Sequence, residues 1–343
     1  MKANDGHRQM KGFRMSTQSR YTFPAIPYLK IRFQLISLEP AHLPAYKGSL
    51  LRGAYGHALR KTVCIMPPKQ LCEHCMVRTQ CAYPKLFETF VEHDPPPFMR
   101  GLNTAPRPYV FEPLTTEKNF NKGDTLEFDL LVFGDAIDFY PYLIYAVSQM
   151  AGNGLGRNRY PFRLQAAWWQ QTRADEIAWP MLYDGPGEKL MATPTPTRLL
   201  DTASPNDALA QTVRLSFLTP TRLKFRNELT IEFTFRMLLF KMIRRVLELA
   251  HFHVPGADID WEFNSLLVAA DNIAIAENTL KWLDWQRHSN RQNTKMMMGG
   301  FTGDLVLHGD LAPFSQLLRA CEILHIGKGT VFGNGKFIVK NSE

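Results

Sequence analysis

The stretch HIGKGTVFGNGKFIVK, residues 325–340, holds four glycines and two lysines within ten residues, and a strand-like run follows at once. Glycine tolerates positive φ and lets another molecule approach the main chain closely. Bare N–H groups beside Lys328 and Lys336 would suit a phosphate, although a tight turn with a basic rim explains the same pattern. The glycines concerned are Gly327, Gly329, Gly333 and Gly335.

The segments that flank this loop argue against a nucleotide-binding phosphate loop. That motif needs a strand before its glycines and a helix after them. Here residues 311–324 have helical periodicity and precede the glycines, while the strand follows them. The loop therefore belongs to a different kind of fold.

An earlier glycine-rich basic loop, GNGLGRNRYPF at 152–162, also follows a helical segment and runs into a strand. In chain order it is the first glycine-rich loop, and the loop 327–336 is the second. Both halves of the chain show the order strand, helix, strand, strand, helix, strand, which is the ferredoxin-like or split βαβ order. The sequence therefore predicts an α+β fold of two tandem ferredoxin-like, RRM-like domains. The residues of the first loop expected to contact an anion are Gly152, Gly154, Gly156, Arg157 and Arg159.

Hydrophobic periodicity gives the expected bounds of these elements. In the first half, strands are predicted at 28–37, 109–114 and 125–134 and after the loop, with helices at 47–63 and 139–151. In the second half, 213–225 begins with a strand, 231–252 is an amphipathic helix, and 280–290 and 299–309 are strands.

The domain bounds follow from shifts in composition. We expect a disordered basic N-terminus at 1–20, a first domain at 21–190 and a second at 208–343, which contains the loop 327–336. The boundary is expected within 185–207, where proline, threonine and glycine accumulate. A cysteine-bearing insertion at 64–90 interrupts the first domain.

The composition favours an anionic partner. Among 343 residues there are 40 Lys+Arg against 32 Asp+Glu, a formal net charge of +8. Such a balance suits a polyanion. No run of 18 or more apolar residues predicts a transmembrane helix, and the N-terminus lacks the apolar core of a signal peptide. We therefore expect a cytoplasmic protein in a reducing compartment, with its cysteines as thiols or metal ligands.

Four cysteines of the insertion have the spacing C-x7-C-x2-C-x5-C: Cys64, Cys72, Cys75 and Cys81. A Cys-x-x-Cys turn places two thiolates on one tetrahedral metal, and two further cysteines complete the set. This pattern predicts a structural zinc site, with His74 able to replace one ligand. A [4Fe–4S] cluster and unligated thiols are the alternatives. Cys321 is expected in the core.

Six motifs then point to a family. With them the chain resembles the CRISPR-associated pre-crRNA-processing endoribonucleases of the RAMP superfamily, whose members have two ferredoxin-like domains and a glycine-rich loop before the last strand. The motifs span nearly the whole chain in the family's order: YKGSLLRGAYGHALRKTVC (46–64), GNGLGRNRYPF (152–162), LTPTRLK (218–224), WQRHSNRQ (285–292), MGGFTGDL (298–305) and LHIGKGTVFGNGKF (324–337).

The resemblance implies cleavage of CRISPR repeat RNA without a metal in the reaction. The products would carry a 2′,3′-cyclic phosphate and a 5′-OH, and the enzyme would keep the product or pass it to an effector complex. One alternative is a non-catalytic crRNA-binding RAMP subunit of such a complex. Another is a zinc-bearing RNA-binding protein unrelated to CRISPR.

Histidine suits both proton transfers of this reaction because its pKa lies near neutrality. In the family the catalytic histidine lies before or early in the first helix, which implies His57 or, as the alternative, His42. His57 follows Gly53 and Gly56, which would allow close backbone approach, although a histidine packed on a helix flank fits too. Lys47, Tyr46 and Arg52 are the neighbouring candidates for stabilising the phosphate, and cations alone could position the reacting atoms.

Other basic residues are candidates for RNA contacts. Arg222 and Lys224 would bind phosphates, and His325 would hold the glycine-rich loop at a helix end. Arg287, Arg291 and Gln292 lie beside Trp282 and Trp285, a pattern that suits base stacking or an ordinary solvated edge. On the helix 231–252, either RNA contact or plain solvation explains a further set of cations: Arg236, Lys241, Arg244 and Arg245.

Overall fold

The computed structural model describes residues 23–67, 69–91, 95–96, 99, 104–173, 176–199, 209–225, 228–284, 286–289 and 294–342. The N-terminus at 1–20, predicted to be disordered, lies outside the described residues. Within the described part of the chain, no helix is both long and apolar enough to cross a membrane.

The first half has the predicted order of elements. The elements are β1 (Pro27–Ser37), α1 (Gly48–Val63), β2 (Tyr109–Pro113), β3 (Thr125–Phe133), α2 (Tyr140–Gly152) and β4 (Phe162–Trp169). β1 is the central strand of its sheet and pairs antiparallel with β3 on one side and β4 on the other, while β2 pairs with the outer side of β3. The sheet order is therefore β4-β1-β3-β2.

This sheet continues beyond the predicted end of the first domain at 190. β5 (Met181–Asp184) and β6 (Lys189–Leu190) extend it past β4. A short strand, Thr197–Arg198, pairs with the start of β1. The next residue, Leu199, donates its N–H to Ile26 O at 3.0 Å. The chain therefore stays bonded to the first sheet as far as residue 199.

The second half repeats the arrangement. The elements are β7 (Thr212–Thr221), α3 (Phe235–His253), α4 (Asn264–Ala269), β8 (Ala274–Asn278), β9 (Gly300–His308), α5 (Ser315–Leu324) and β10 (Phe337–Asn341). β7 pairs with β9 and β10, and β8 pairs with the other side of β9, giving the order β8-β9-β7-β10. The second strand was predicted at 280–290, but the main edge strand is β8; among the described residues of that range, the short strand Lys281–Leu283 pairs with β9.

Short elements complete the described structure. Four two-stranded pairs join Ala41–His42 to Asn119–Phe120, Gln171–Arg173 to Glu176–Ala178, Lys224–Phe225 to Glu228–Leu229, and Gln286–Ser289 to Thr294–Met297. Single helical turns lie at Cys72–His74, Pro84–Glu88, Gly134–Phe139, Ala270–Asn272, Ala312–Phe314 and Thr330–Phe332.

Two apolar cores follow from the alternation of side chains along the first sheet. Ile31, Phe33 and Leu35 of β1 face α1 and α2 in one core. On the opposite face, Val110 and Phe133 join the core built around α3. The two halves therefore share buried apolar surface. A buried polar residue of β2, Glu112, lies next to the second glycine-rich loop.

Candidate nucleic-acid groove

A groove of about 2880 Å³ is lined by residues of both halves. Its walls come from α1, the loop after α2, the segment 222–224, α3 and the loop 327–332. Among the described residues that line it, twelve are Lys or Arg and only three are Glu. We call it the basic groove. Its excess of positive charge suits a phosphate backbone.

His57 lies on α1, and its exposed side chain faces the basic groove. Gly53, one helical turn earlier, also lines the groove, and a Cβ added there would meet no atom within 4 Å. Gly56 differs, because its Cβ would lie 2.1 Å from the Phe87 ring. The expected room for another molecule therefore exists at Gly53, while Gly56 serves internal packing.

His42 lines the same groove from the short strand Ala41–His42. Its Nδ1 lies 2.8 Å from Asn119 Oδ1. Because an amide oxygen only accepts, Nδ1 carries the proton in this contact and Nε2 of the neutral ring is left as an acceptor. The structure thus brings both candidate histidines to one groove.

Arg52 lies on α1 between these histidines in the sequence and also lines the groove. Its guanidinium lies 3.8 Å from the centre of the Phe87 ring and 6.0 Å from that of Phe332. The stacking holds the arginine against the insertion and the second loop.

Tyr46 connects α1 to the second glycine-rich loop instead of standing free for chemistry. Its hydroxyl lies 2.7 Å from both Phe332 O and Asn334 Oδ1. Burial raises its pKa above the ordinary value for tyrosine. Gly48 has a related role, since a Cβ there would lie 1.8 Å from Phe332 O. The start of α1 and the loop therefore pack backbone against backbone.

Lys47 was predicted beside the phosphate, but its side chain is fully buried and lies outside the basic groove. Its ammonium donates to the carbonyls of Ala45, Thr115 and Glu117. Burial lowers its pKa and Glu117 raises it. These contacts tie the start of α1 to the segment before β3, so Lys47 is not placed to contact a phosphate in the groove.

The loop 327–336 has two parts with different surroundings. Gly327, Lys328 and Gly329 line the basic groove. Gly333 and Gly335 are buried; their added Cβ atoms would lie 2.5 Å from Phe111 O and 1.9 Å from Ile326 O. All four glycines have φ between +77° and +85°. The anion-binding interpretation thus fits the first part, and the packing-turn interpretation fits the second.

Lys336 was predicted to bind phosphate, but it forms an ion pair with Glu112 of β2, with Nζ 3.1 Å from Oε1. Lys30 Nζ lies 3.0 Å from Glu112 Oε2, and His325 Nε2 lies 2.7 Å from Oε1. Burial alone would raise the pKa of Glu112, but the His325 hydrogen bond and the nearby cations hold it well below its usual value. The carboxylate therefore joins the two halves.

His325 has the loop-holding position predicted for it. It follows the end of α5 with a φ of +55°, and its Nδ1 lies 3.0 Å from Asn334 O. Glu112 itself was missed by sequence reasoning. The available signal was one acidic residue inside the apolar run YVFEP of β2.

The first glycine-rich loop is a tight turn that presents two arginines. Arg157 and Arg159 are exposed and line the basic groove. Leu155 and Tyr160 exchange backbone hydrogen bonds of 2.8 and 2.9 Å across the turn. An added Cβ at Gly154 would lie 2.1 Å from Arg159 O, and Gly156 has a φ of +80°.

Among the remaining candidates, Arg222 and Lys224 line the groove, whereas Gly152 ends α2 outside its lining. Arg287 lies on the strand Gln286–Ser289, and its side chain is outside the described part, as are Arg291 and Gln292 entirely. Of the helix cations, Lys241, Arg244 and Arg245 line the groove, whereas Arg236 pairs with Asp271. Arg245 is buried and donates to Leu324 O.

Comparison with known proteins finds a family model for each half of the chain. Residues 215–337 match the family model of the CRISPR-associated endoribonuclease Cas6, and residues 26–195 match the model AF_1859_N, described as an N-terminal domain. The second half of the chain is a Cas6-type domain. An uncharacterized protein of Archaeoglobus fulgidus is 25% identical over 215 residues, covering 62% of this chain and 68% of its relative.

Solved Cas6 structures share the fold of this chain. Thermus thermophilus Cas6 is 16% identical with a TM-score of 0.50, and the match covers 92% of this chain and 99% of that one. A partial Cas6-RT-Cas1–Cas2 complex contains a chain that is 12% identical with a TM-score of 0.52, covering 93% of this chain and 46% of that one.

Cys64, Cys72, Cys75 and Cys81 all lie in the segment that directly follows α1. All are free, partly buried thiols, and Cys64 and Cys72 line the basic groove. Desolvation raises the pKa of Cys72, and the nearby Cys64 and Cys81 raise it further. Within the described residues, no group of three or more His, Cys, Asp or Glu side chains is arranged to hold a metal ion. The zinc site stays a prediction.

Proposed function

We propose that the chain is a metal-independent endoribonuclease that cleaves CRISPR precursor RNA within its repeats to make guide crRNAs. The observation that carries the proposal is the basic groove, which brings His57, His42 and the exposed parts of both glycine-rich loops together. The match of residues 215–337 to the Cas6 family model supports the same activity.

The groove would bind the RNA through its backbone. Arg157 and Arg159 offer guanidinium groups from the first half, and Lys328 with Arg222 offers charge from the second. Contacts of this kind position the RNA without reading its bases. An RNA that contacts both walls would have its backbone fixed relative to α1, where His57 lies.

The reaction needs a group that takes the 2′-OH proton and a group that protonates the leaving 5′-oxygen. We assign His57 to one of these transfers because it is exposed on the groove wall with open space at Gly53. His42 is suited to the other, since its Nδ1–H donates to Asn119 and leaves Nε2 able to accept a proton. Arg52 would stabilise the negative charge that develops on the phosphorane.

Single-turnover cleavage of the host's repeat RNA in EDTA tests these assignments. His57→Ala should lower the rate by roughly 10²-fold or more, in the range of lost general acid–base catalysis, with little change in RNA affinity. The matched control is His308→Ala, because His308 is also exposed with its Nδ1 bonded to a side chain, Thr212 Oγ1 at 3.0 Å, but lies outside the groove lining.

The pattern of rates would separate the possibilities. If His42→Ala alone lost activity, His42 would be the dominant acid–base residue. If both groove variants cleaved at the rate of His308→Ala, the two-histidine assignment would be wrong.

A non-catalytic crRNA-binding subunit of an effector complex is the second candidate. The observation that favours it is that the excess of groove cations is enough for RNA binding without either histidine. Tight binding of repeat RNA by the wild-type chain, with no cleavage under any condition, would support this candidate over the enzyme.

A further inference from the structure

Among the cations of α3, Lys241 differs from its neighbours in forming no hydrogen bond or ion pair with the described residues. Arg236 lies 2.7 Å from Asp271, Arg244 lies 2.5 Å from Glu248, and Arg245 donates to Leu324 O at 3.1 Å. Lys241 Nζ lies 5.1 Å from the centre of the Phe225 ring.

The position of Lys241 makes this lack of a partner significant. The residue is only partly exposed and lines the basic groove together with Arg244 and Lys328. Desolvation lowers the pKa of Lys241, and the charges of Arg244 and Lys328 lower it further, while Glu248 raises it. A partly buried ammonium crowded by two other cations is stabilised when an anion binds beside it.

Lys328 is held on the same wall by its own backbone. Its N–H donates to Arg222 O at 2.9 Å. A Cβ at the preceding Gly327 would lie 2.5 Å from that oxygen, so only glycine permits this approach. The exposed side chain of Lys328 therefore projects from a fixed point of the groove.

We propose that Lys241 and Lys328 form a phosphate subsite for the RNA backbone on the α3 wall of the basic groove. The inference rests on the proposed function for the identity of the polyanion, but not on cleavage. The subsite contacts a phosphate and no base edge. It therefore adds affinity equally for every RNA sequence and leaves the choice of cleavage site to other residues.

The test compares Lys241→Met with the wild-type chain in binding to repeat RNA and to an unrelated RNA of equal length, over a range of salt concentrations. Removal of one phosphate contact changes how strongly the RNA association constant depends on salt. The slope of its logarithm against the logarithm of the salt concentration should fall in magnitude by about 0.7–0.9. At about 0.1 M salt this corresponds to a roughly five- to eightfold loss of affinity, the same for both RNAs. Lys241→Arg, which keeps the charge, should restore the slope.

The matched control is Lys340→Met, which removes an exposed lysine of β10 outside the groove lining. If Lys241→Met binds both RNAs with the wild-type slope, or no differently from Lys340→Met, the subsite is refuted while the cleavage proposal stands. A wild-type chain that binds RNA as described but never cleaves would refute the cleavage proposal and leave the subsite supported. A wild-type chain that binds neither RNA would overturn both.

Discussion

Neutralising Glu112 should destabilise the protein more than any surface substitution, because this carboxylate joins the two halves. The change is Glu112→Gln, which keeps the shape of the side chain and removes its charge. Glu112 is 4% exposed and contacts Lys30, His325 and Lys336 within 3.1 Å. Across the sheet it also lies opposite Asp129, so the cations offset repulsion between two neighbouring acids.

The expected magnitude follows from what each cation retains. Breaking a buried ion pair by removing one partner costs about 3–5 kcal/mol. Lys30 keeps Asp129 at 3.2 Å, and Lys336 is 28% exposed, so water can solvate its charge. Fully buried His325 loses its charged partner and keeps only the contact of Nδ1 with Asn334 O. We therefore expect a loss near the lower end of the range, about 3 kcal/mol in the free energy of unfolding.

Urea denaturation at neutral pH measures this loss as a lower midpoint with an unchanged m-value. Glu277→Gln is the control, because Glu277 is 50% exposed and lies 3.7 Å from Arg214; its effect should be within about 1 kcal/mol. Midpoints for Glu112→Gln and Glu277→Gln that agree within error would refute the reasoning.

The pH dependence has a definite sign. The folded-state pKa of Glu112 lies well below its usual value, so the carboxylate stabilises the fold at pH values above the unfolded pKa, about 4.5. That stabilisation is lost as the pH falls through the lower folded-state value. The stability difference between wild type and Glu112→Gln should therefore be constant near neutrality and shrink only under acid conditions.

Three further predictions concern the loops and the insertion. Lys328→Ala should lower the magnitude of the salt dependence of RNA binding, measured as the log–log slope, by about one. Lys336→Ala should leave that slope unchanged and lower the urea midpoint. Equal slopes in both variants would contradict the assignment of Lys328 to RNA binding and Lys336 to the fold. Gly335→Ala should destabilise the fold, because Gly335 has a φ of +77° and an added Cβ would lie 1.9 Å from Ile326 O. Gly53→Ala should instead stabilise α1 by up to about 1 kcal/mol. A higher melting temperature for Gly335→Ala than for Gly53→Ala would refute the packing argument. Elemental analysis should find about one zinc per chain, and Cys72→Ser should lose the metal and melt at a lower temperature; iron in a brown protein would indicate a cluster instead, and a metal-free chain would leave the cysteines as thiols.

The order of elements could be predicted because it depends on local patterns. The alternation of Ile31, Phe33 and Leu35 matches a strand with one buried face, and α1 follows with helical spacing. The missed strand β8 shows the limit of this approach. Its burial pattern is almost entirely exposed, so Ala274–Asn278 carries little hydrophobic signal even though it pairs with β9.

The roles of individual basic residues could be predicted only in part, because their partners are distant in the sequence. Lys328 and Lys336 occupy similar positions in one motif, yet only tertiary structure brings Glu112 to Lys336. Lys47 likewise takes its carbonyl partners from residues 115 and 117. A count of charges near a glycine-rich loop does not separate a lysine that faces a groove from one that is already paired.

The chemical ends of the cleaved repeat RNA distinguish metal-independent transesterification from metal-dependent hydrolysis. The wild-type chain is incubated in EDTA with repeat RNA labelled at either end, and both fragments are mapped and tested with a phosphatase and a kinase. Metal-independent cleavage should give one cut, with a 2′,3′-cyclic phosphate on the upstream fragment and a 5′-OH on the downstream fragment. A requirement for added Mg²⁺, or a 3′-OH on the upstream fragment, would contradict it.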